Sequence, residues 1–337
     1  MSTLIYTLYT ALLALPRRLA GDAADLAAAY HRFWFAPSAP HALAVVRILA
    51  GGMTLYSTSV WGLELEAFFT DGGYQPAELI NTRGGLSFWF LVPDAWVWPV
   101  HCACLVALAL YTAGAGTVVT KWLAFIIVAS YAQRAPMATF GLDQIETFLT
   151  LYLALAPCGA VFSIDSLLRR RREPVGLSAR NTLSPRNTLA TRLIQVHLCV
   201  LYTAAGLAKL KGEAWWDGTA IWKAAANLEY QTGDLTWIAA AEPIGHLLTH
   251  VTVAWELSFW ALVWRPRLRP YVLAIGAGMH LGIGAFLGMW TFGLIMTFAY
   301  VAFVPPCVFK HVFSTASEGS ASGDDFVRDG NVPSGRG

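Results

Sequence analysis

Charge is what this sequence has least of. Of its 337 residues only 13% are Asp, Glu, Lys or Arg, where a soluble domain carries roughly 25%. That shortage excludes an ordinary water-facing surface, and a net charge of +2 is too small for a nucleic-acid interface built on excess positive charge. Cysteine is sparse as well: Cys102, Cys104, Cys158, Cys199 and Cys307 form no CxxC motif and no secreted disulfide framework. Each sits in or beside an apolar run, where cysteine behaves as a small hydrophobe. The opening "MSTLIYTLYTALLALPRR" has no basic region before its apolar stretch and no small-residue cleavage site, so no cleavable signal peptide is expected.

What the chain does have is apolar sequence. Hydrophobic residues make up 56% and tryptophan occurs 14 times, and the mean hydropathy is +0.51. Tryptophan is favoured where hydrocarbon meets headgroup, and a membrane crossing needs about 20 mainly apolar residues. Eight candidate spans follow: 41–61, 95–114, 118–134, 144–163, 191–209, 243–264, 270–287 and 289–306. The expected fold is all-α, a polytopic transmembrane helix bundle. Its membrane domain covers 38–307, preceded by short interfacial helices within 1–37.

Loop charges set the expected orientation. With eight spans, Arg17, Arg18, Arg32, Lys121, Arg169 to Arg172, Arg180, Arg186, Arg192, Arg265, Arg267, Arg269 and Lys310 fall on one side. The other side receives only Arg83, Arg134, Lys209, Lys211 and Lys223. Both termini are therefore expected in the cytoplasm, along with the basic linker 166–190. The tail 308–337, rich in Gly, Ser and Asp, has the composition of a disordered segment.

Ionisable residues inside spans are costly and mark candidate sites. Arg47, Asp143, Glu146, His197, Lys209, Glu256 and His280 make up that set. Arg47 is read as pairing with a carboxylate such as Glu146 or Glu256. Asp143 suits a helix N-terminus, where the macrodipole favours an acid. Glu256 and His280 fall near the middle of apolar helices, where a carboxylate needs a cation, a hydrogen-bond donor or a proton. Glu242, His246 and His250 recur at i, i+4 and i+8. Such histidines can bind a divalent metal, yet the general base of HExxH is missing, so interfacial histidines are the default and no metal is expected.

Lys209 closes the run "LYTAAGLAK". It reads either as an interfacial anchor with its stem stretched towards water or as a desolvated base. At helical spacing Gln195, Tyr202 and Lys209 share a stripe, with Gly206 beside them leaving room for close packing. The following "KGEAWWDGTAIWKAAAN" is too short and interrupted to span, and reads as a lid or re-entrant segment carrying Trp215, Trp216 and Trp222.

The stretch "YTAAGLAKLKGEAWWDGTAI" resembles the signature of the HTTM domain, the membrane region shared with vitamin K-dependent gamma-carboxylases. The matching residues are Tyr202, Ala205-Gly206, Lys209-Leu210, Trp215 or Trp216, and Gly218. "VRILAGGMTLY", "FFTDGGYQP" and "GMHLGIGAFLGMWTFGLIMTFAYVAF" extend the likeness over roughly residues 38 to 307. The resemblance implies that Lys209 is the base that deprotonates a vitamin K hydroquinone-like reduced quinone, with His280 in support. Tyr202, Gly206, Trp215 and Trp216 would line the cofactor site, and Arg47, Asp143 and Glu256 would stand behind it. Oxygen and carbon dioxide would be co-reactants in carboxylation of a glutamyl side chain, a carbon-carbon lyase type of chemistry.

The sequence also departs from the family. The eukaryotic enzymes carry two adjacent lysines where this chain has Ala208 then Lys209, and a histidine near the place of Asp143. No counterpart of their large lumenal domain is expected here, so the expected partners are membrane lipid, a quinone and a separate soluble substrate or substrate-binding protein, with no nucleic acid. The alternative is a non-enzymatic membrane carrier or assembly partner.

Overall fold

The computed structural model describes residues 22–81, 85–172, 183–230, 232–233, 235, 237–305 and 308–309. Eight helices carry the architecture: α1 His41–Trp61, α2 Val97–Ala113, α3 Thr117–Arg134, α4 Gly141–Leu155, α5 Pro185–Lys209, α6 Glu242–Leu262, α7 Arg269–Leu287 and α8 Trp290–Ala299. A 3-10 turn, Tyr300–Phe303, extends α8. Among the described residues there is no named strand, only an isolated bridge between Ser38 and Ser184.

The helix ends follow from local chemistry. Ser184 caps α5 by accepting from the Arg186 N–H, with Pro185 in the first turn, where its missing N–H costs nothing. Pro270 has the same place in α7. Gly114 ends α2 and Gly288 ends α7 in the left-handed region, at φ 75° and 71°, which glycine enters without a Cβ penalty.

Helices therefore stand at all eight places where the sequence predicts spans. Four are long and apolar enough to cross a membrane, within His41–Phe69, Asp94–Ala113, Pro185–Lys209 and Arg269–Leu287. Exposed Val106 and Leu110 on α2 and Tyr271 and Ile275 on α7 give these helices outward faces suited to lipid. The others fall outside that set: α4 and α8 are short, while α3 and α6 carry Lys121, Arg134, His246, His250 and Glu256. The fourth expected span, 144–163, is cut short. Its helix stops at Leu155 because Ala156 turns extended ahead of Pro157, and Lys121 Nζ donates to the freed Ala156 carbonyl at 2.9 Å.

Sequential pairing dominates the packing: α1 on α2, α3 on α4, α5 on α6 and α7 on α8. The short α8 also reaches α1 and α4, and α4 reaches α5, so α8 joins the early helices to the late ones. The core lies between these layers, around Leu43, Tyr111, Leu153, Ile194, Phe259 and Ile295.

The termini bear on two further expectations. Residues 22–35 form one helix, exposed over 22–32 and half-buried at its end, while 1–21 and 310–337 lie outside the described residues. The basic linker 166–190 is helical at both ends, in Ile164–Arg172 and from Pro185 onward, and only its middle falls outside the described residues.

Asp165 fixes one end of the bundle. Its carboxylate accepts from Gly116 N at 2.8 Å, Thr117 N at 2.7 Å and Thr117 Oγ1 at 2.6 Å, capping α3 from a segment 48 positions away. Partial burial pushes this carboxyl up, but the hydrogen bonds from Thr117 and Gly116 outweigh it and hold the group below its ordinary value. A depressed folded value means the stabilisation is present above about pH 4 and is lost as pH falls through the folded value. Asp165→Ala should cost about 1–2 kcal/mol near neutrality. Its difference from wild type should shrink as pH falls below about 4, read as thermal unfolding of the detergent-solubilised protein across pH.

Candidate functional site

The stripe expected on α5 is real, and every member finds a partner. Gln195 Nε2 donates to the Ala302 carbonyl at 2.7 Å. Tyr202 OH lies 2.8 Å from His280 Nε2 on α7 and 2.5 Å from Tyr300 OH beyond α8. Lys209 Nζ donates to Glu256 Oε1 on α6 at 2.8 Å. The Lys209 and Glu256 side chains are only 20% and 9% exposed, so each charge has been drawn most of the way out of solvent.

Gly206, one turn below Lys209, lets this happen. A Cβ there would come within 2.8 Å of Leu257 and 3.3 Å of the Glu256 Cβ. The room that the sequence suggested for a cofactor is filled by α6, and that close approach carries Glu256 to the lysine. Trp255, the neighbour of Glu256, packs its ring on Tyr202, whose hydroxyl meets His280. The ion pair and the Tyr300–Tyr202–His280 chain thus form one cluster, walled by Trp255 and Phe259, whose rings sit 4.7 Å from Tyr202.

Two buried atoms in this cluster have no hydrogen-bond partner, Glu256 Oε2 and His280 Nδ1. A buried unpaired polar atom costs about 1–3 kcal/mol, and such atoms are where a bound molecule gains most. Either tautomer of His280 serves a ligand: if Nε2 accepts from Tyr202, Nδ1 carries the proton, and the reverse makes Nδ1 an acceptor.

The segment after Lys209 is a strap across the C-terminal end of α5 and the N-terminal end of α6. It contains two short helices, Glu213–Trp216 and Ala220–Ala225. The Trp215 ring covers Lys209 Nζ at 5.1 Å, a cation–π arrangement. Trp216 is exposed and its indole donates to the Leu210 carbonyl at 2.9 Å, which closes the end of α5 rather than the site. Asp217 Oδ1 accepts from Thr219 N and Oγ1 at 2.8 and 2.6 Å, and these bonds hold the exposed carboxyl below its ordinary value. Thr249 on α6 fastens the turn, donating to the Gly218 carbonyl at 2.8 Å and accepting from Ile221 N at 3.2 Å.

Several expected site residues lie elsewhere. Arg47 pairs with neither Glu146 nor Glu256. Its guanidinium donates to the Tyr111 and Phe162 carbonyls at 3.2 and 2.5 Å, because Gly114 has no side chain to block its way to the end of α2. Asp143 caps its own helix, accepting from Phe140 N at 2.9 Å, and borders a cavity that Lys209 does not line. Glu146 takes Ser57 as its partner, at 2.9 and 3.1 Å. Among the described residues no group of three or more His, Cys, Asp and Glu is arranged to hold a metal. His246 faces Glu242 at 3.6 Å, while His250 turns to the Trp216 carbonyl at 3.2 Å, which separates the three residues of the metal reading. Sequence reasoning missed Tyr300; the only signal for it was a hydroxyl-bearing aromatic inside "TFAYVAF".

The chain matches no protein-family model, no curated protein and no solved structure.

Breaking a buried pair costs more than replacing it whole, since one charge is left stranded. Lys209→Met should therefore lower stability by about 3–5 kcal/mol, and the double substitution Lys209→Met/Glu256→Met should recover most of that loss. Denaturation of the solubilised protein, followed as a double-mutant cycle, measures both.

Proposed function

We propose that the chain is an integral membrane enzyme of the HTTM type, akin to the vitamin K-dependent gamma-carboxylases. In this reading it has eight spans and cytoplasmic termini, and Lys209 acts as a base towards a quinol-type lipid. The observation that carries the reading is the Lys209–Glu256 pair at 2.8 Å, set beside the unfilled Glu256 Oε2 and His280 Nδ1.

A lysine held against a carboxylate is an ammonium and cannot take up a proton. It becomes a base by passing its proton to Glu256 Oε1, already in hydrogen-bond contact. In an apolar setting this transfer removes two charges together, which offsets the desolvation cost each one carries. The neutral amine is then free to accept a proton from a phenolic hydroxyl. Glu256 Oε2 and His280 Nδ1, both without a hydrogen-bond partner, are the atoms that would contact the rest of such a group. These are the residues that would hold a reduced quinone. Such a group supplies, with oxygen, the strong base that carboxylation of a glutamyl side chain by carbon dioxide requires. The glutamyl substrate would come from a separate soluble protein.

The same 2.8 Å contact favours a second reading, in which the pair only clamps α5 to α6 in a carrier or assembly partner. Lys209→Arg separates the two. Arginine preserves the charge and the contact with Glu256 but does not give up its proton. If Lys209 is the base, the variant folds with a near-normal melting temperature, while quinol consumption and glutamyl-peptide carboxylation in membranes fall by at least about 10²-fold. Quinol consumption equal to that of the wild type removes Lys209 from the chemistry and leaves the clamp.

A further inference from the structure

A cavity of about 420 Å³ lies between the C-terminal end of α1, the N-terminal end of α4 and the start of α8. It shares no lining residue with the Lys209 cluster. Tyr56, Trp61 and Phe140 supply much of its wall, and its polar groups include Ser57, Glu64 and Asp143. Tyr56 and Phe140 are also exposed at its rim, so it can be reached from the side of the bundle as well as from its end. The volume falls in the range of small-molecule sites, roughly 300–1,000 Å³.

The charged side chains of this cavity are of one sign, beside the hydroxyls of Tyr56, Ser57 and Thr291. No lysine, arginine or histidine is among its described lining residues. Asp143 and Glu64 are acceptors when ionised. Ser57 has one hydroxyl proton, and three acceptors already compete for it: the Thr54 carbonyl at 3.1 Å and the two Glu146 oxygens at 2.9 and 3.1 Å. What Ser57 has left to offer a ligand is its lone pairs.

Glu146 is the second observation. It is 2% exposed and makes no ion pair among the described residues. Ser57, whose hydroxyl has a single proton to give, is its partner from the cavity wall. A carboxylate so thinly supported lacks the cation that would offset its burial. A neutral hydroxyl can donate to these carboxylates but brings no charge, and an anion meets Asp143 and Glu64. A cation with N–H donors gains charge-assisted hydrogen bonds and the faces of the aromatic rings.

We propose that this cavity is a binding site for an organic ammonium ion, a protonated primary amine with an apolar body, held by Asp143 and the aromatic walls. The apolar body packs on Val60 and Leu142 while the ammonium group takes the acceptors.

The test uses the full chain in lipid nanodiscs at pH 7, titrated calorimetrically with phenethylamine and with its uncharged analogue 2-phenylethanol. Saturable one-to-one binding of the amine is expected, with the alcohol at least about tenfold weaker, the loss of one charge-assisted contact. Asp143→Asn retains an oxygen for capping α4 and should weaken the amine about tenfold while leaving the alcohol unchanged. Should Asp143→Asn fail to fold, Glu64→Gln, at an exposed position, provides the same comparison with a smaller loss of about threefold. Equal binding of amine and alcohol, an Asp143→Asn protein that binds the amine as the wild type does, or no saturable binding overturns the proposal. None of these outcomes bears on Lys209.

Discussion

Two opposite charges drawn out of water, Lys209 and Glu256, set the terms for half of this molecule. Neither is tolerable alone in an apolar bundle, and together they require α5 and α6 to meet at one height and one rotation. Gly206 supplies the close approach and Trp215 covers the cation. The strap through Gly218 and Thr249 keeps that cover in place. Once α5 is fixed in rotation, Tyr202 and Gln195 must face the same way. The Tyr300–Tyr202–His280 chain and the Gln195 contact with the Ala302 carbonyl follow from that register.

Other buried cations are handled differently. Arg47 donates to the carbonyls of Tyr111 and Phe162, Arg134 to those of Gln75 and Thr70, and Lys121 to that of Ala156. Several of these carbonyls lie at or just past helix ends, where the backbone has acceptors to spare and a partial negative charge. Lys209 thus receives a carboxylate where Arg47, Arg134 and Lys121 receive backbone.

Helical pattern was the most legible part of the sequence. Apolar runs of the right length produced helices in all eight expected places, and the α5 periodicity put Gln195, Tyr202 and Lys209 on one working face. Contacts between distant segments were less legible. A span pattern says nothing of which helix stands opposite, so Arg47 looked like a partner for a carboxylate when a helix end took it instead. Asp143 was readable as a helix-capping acid, since that role is local, whereas its place on a cavity wall depends on how α1 and α8 pack beside α4. Tyr300 and the Ser57–Glu146 contact escaped notice for the same reason. The early stop of α4 was foreshadowed by Pro157 but masked by the apolar residues that follow it.

The small bridge between Ser38 and Ser184 has a consequence in time rather than in space. These residues exchange backbone hydrogen bonds, and Asn187 reaches the Ser38 carbonyl across 149 positions of sequence. At ordinary rates of synthesis the segment ahead of α1 waits roughly 7–30 s for its partner to be made. During that interval α1 to α4 are made, with one edge unfastened. The second half of the chain therefore completes the first as well as adding to it, and a ribosome that stalls before α5 would leave the opening helices without their clasp.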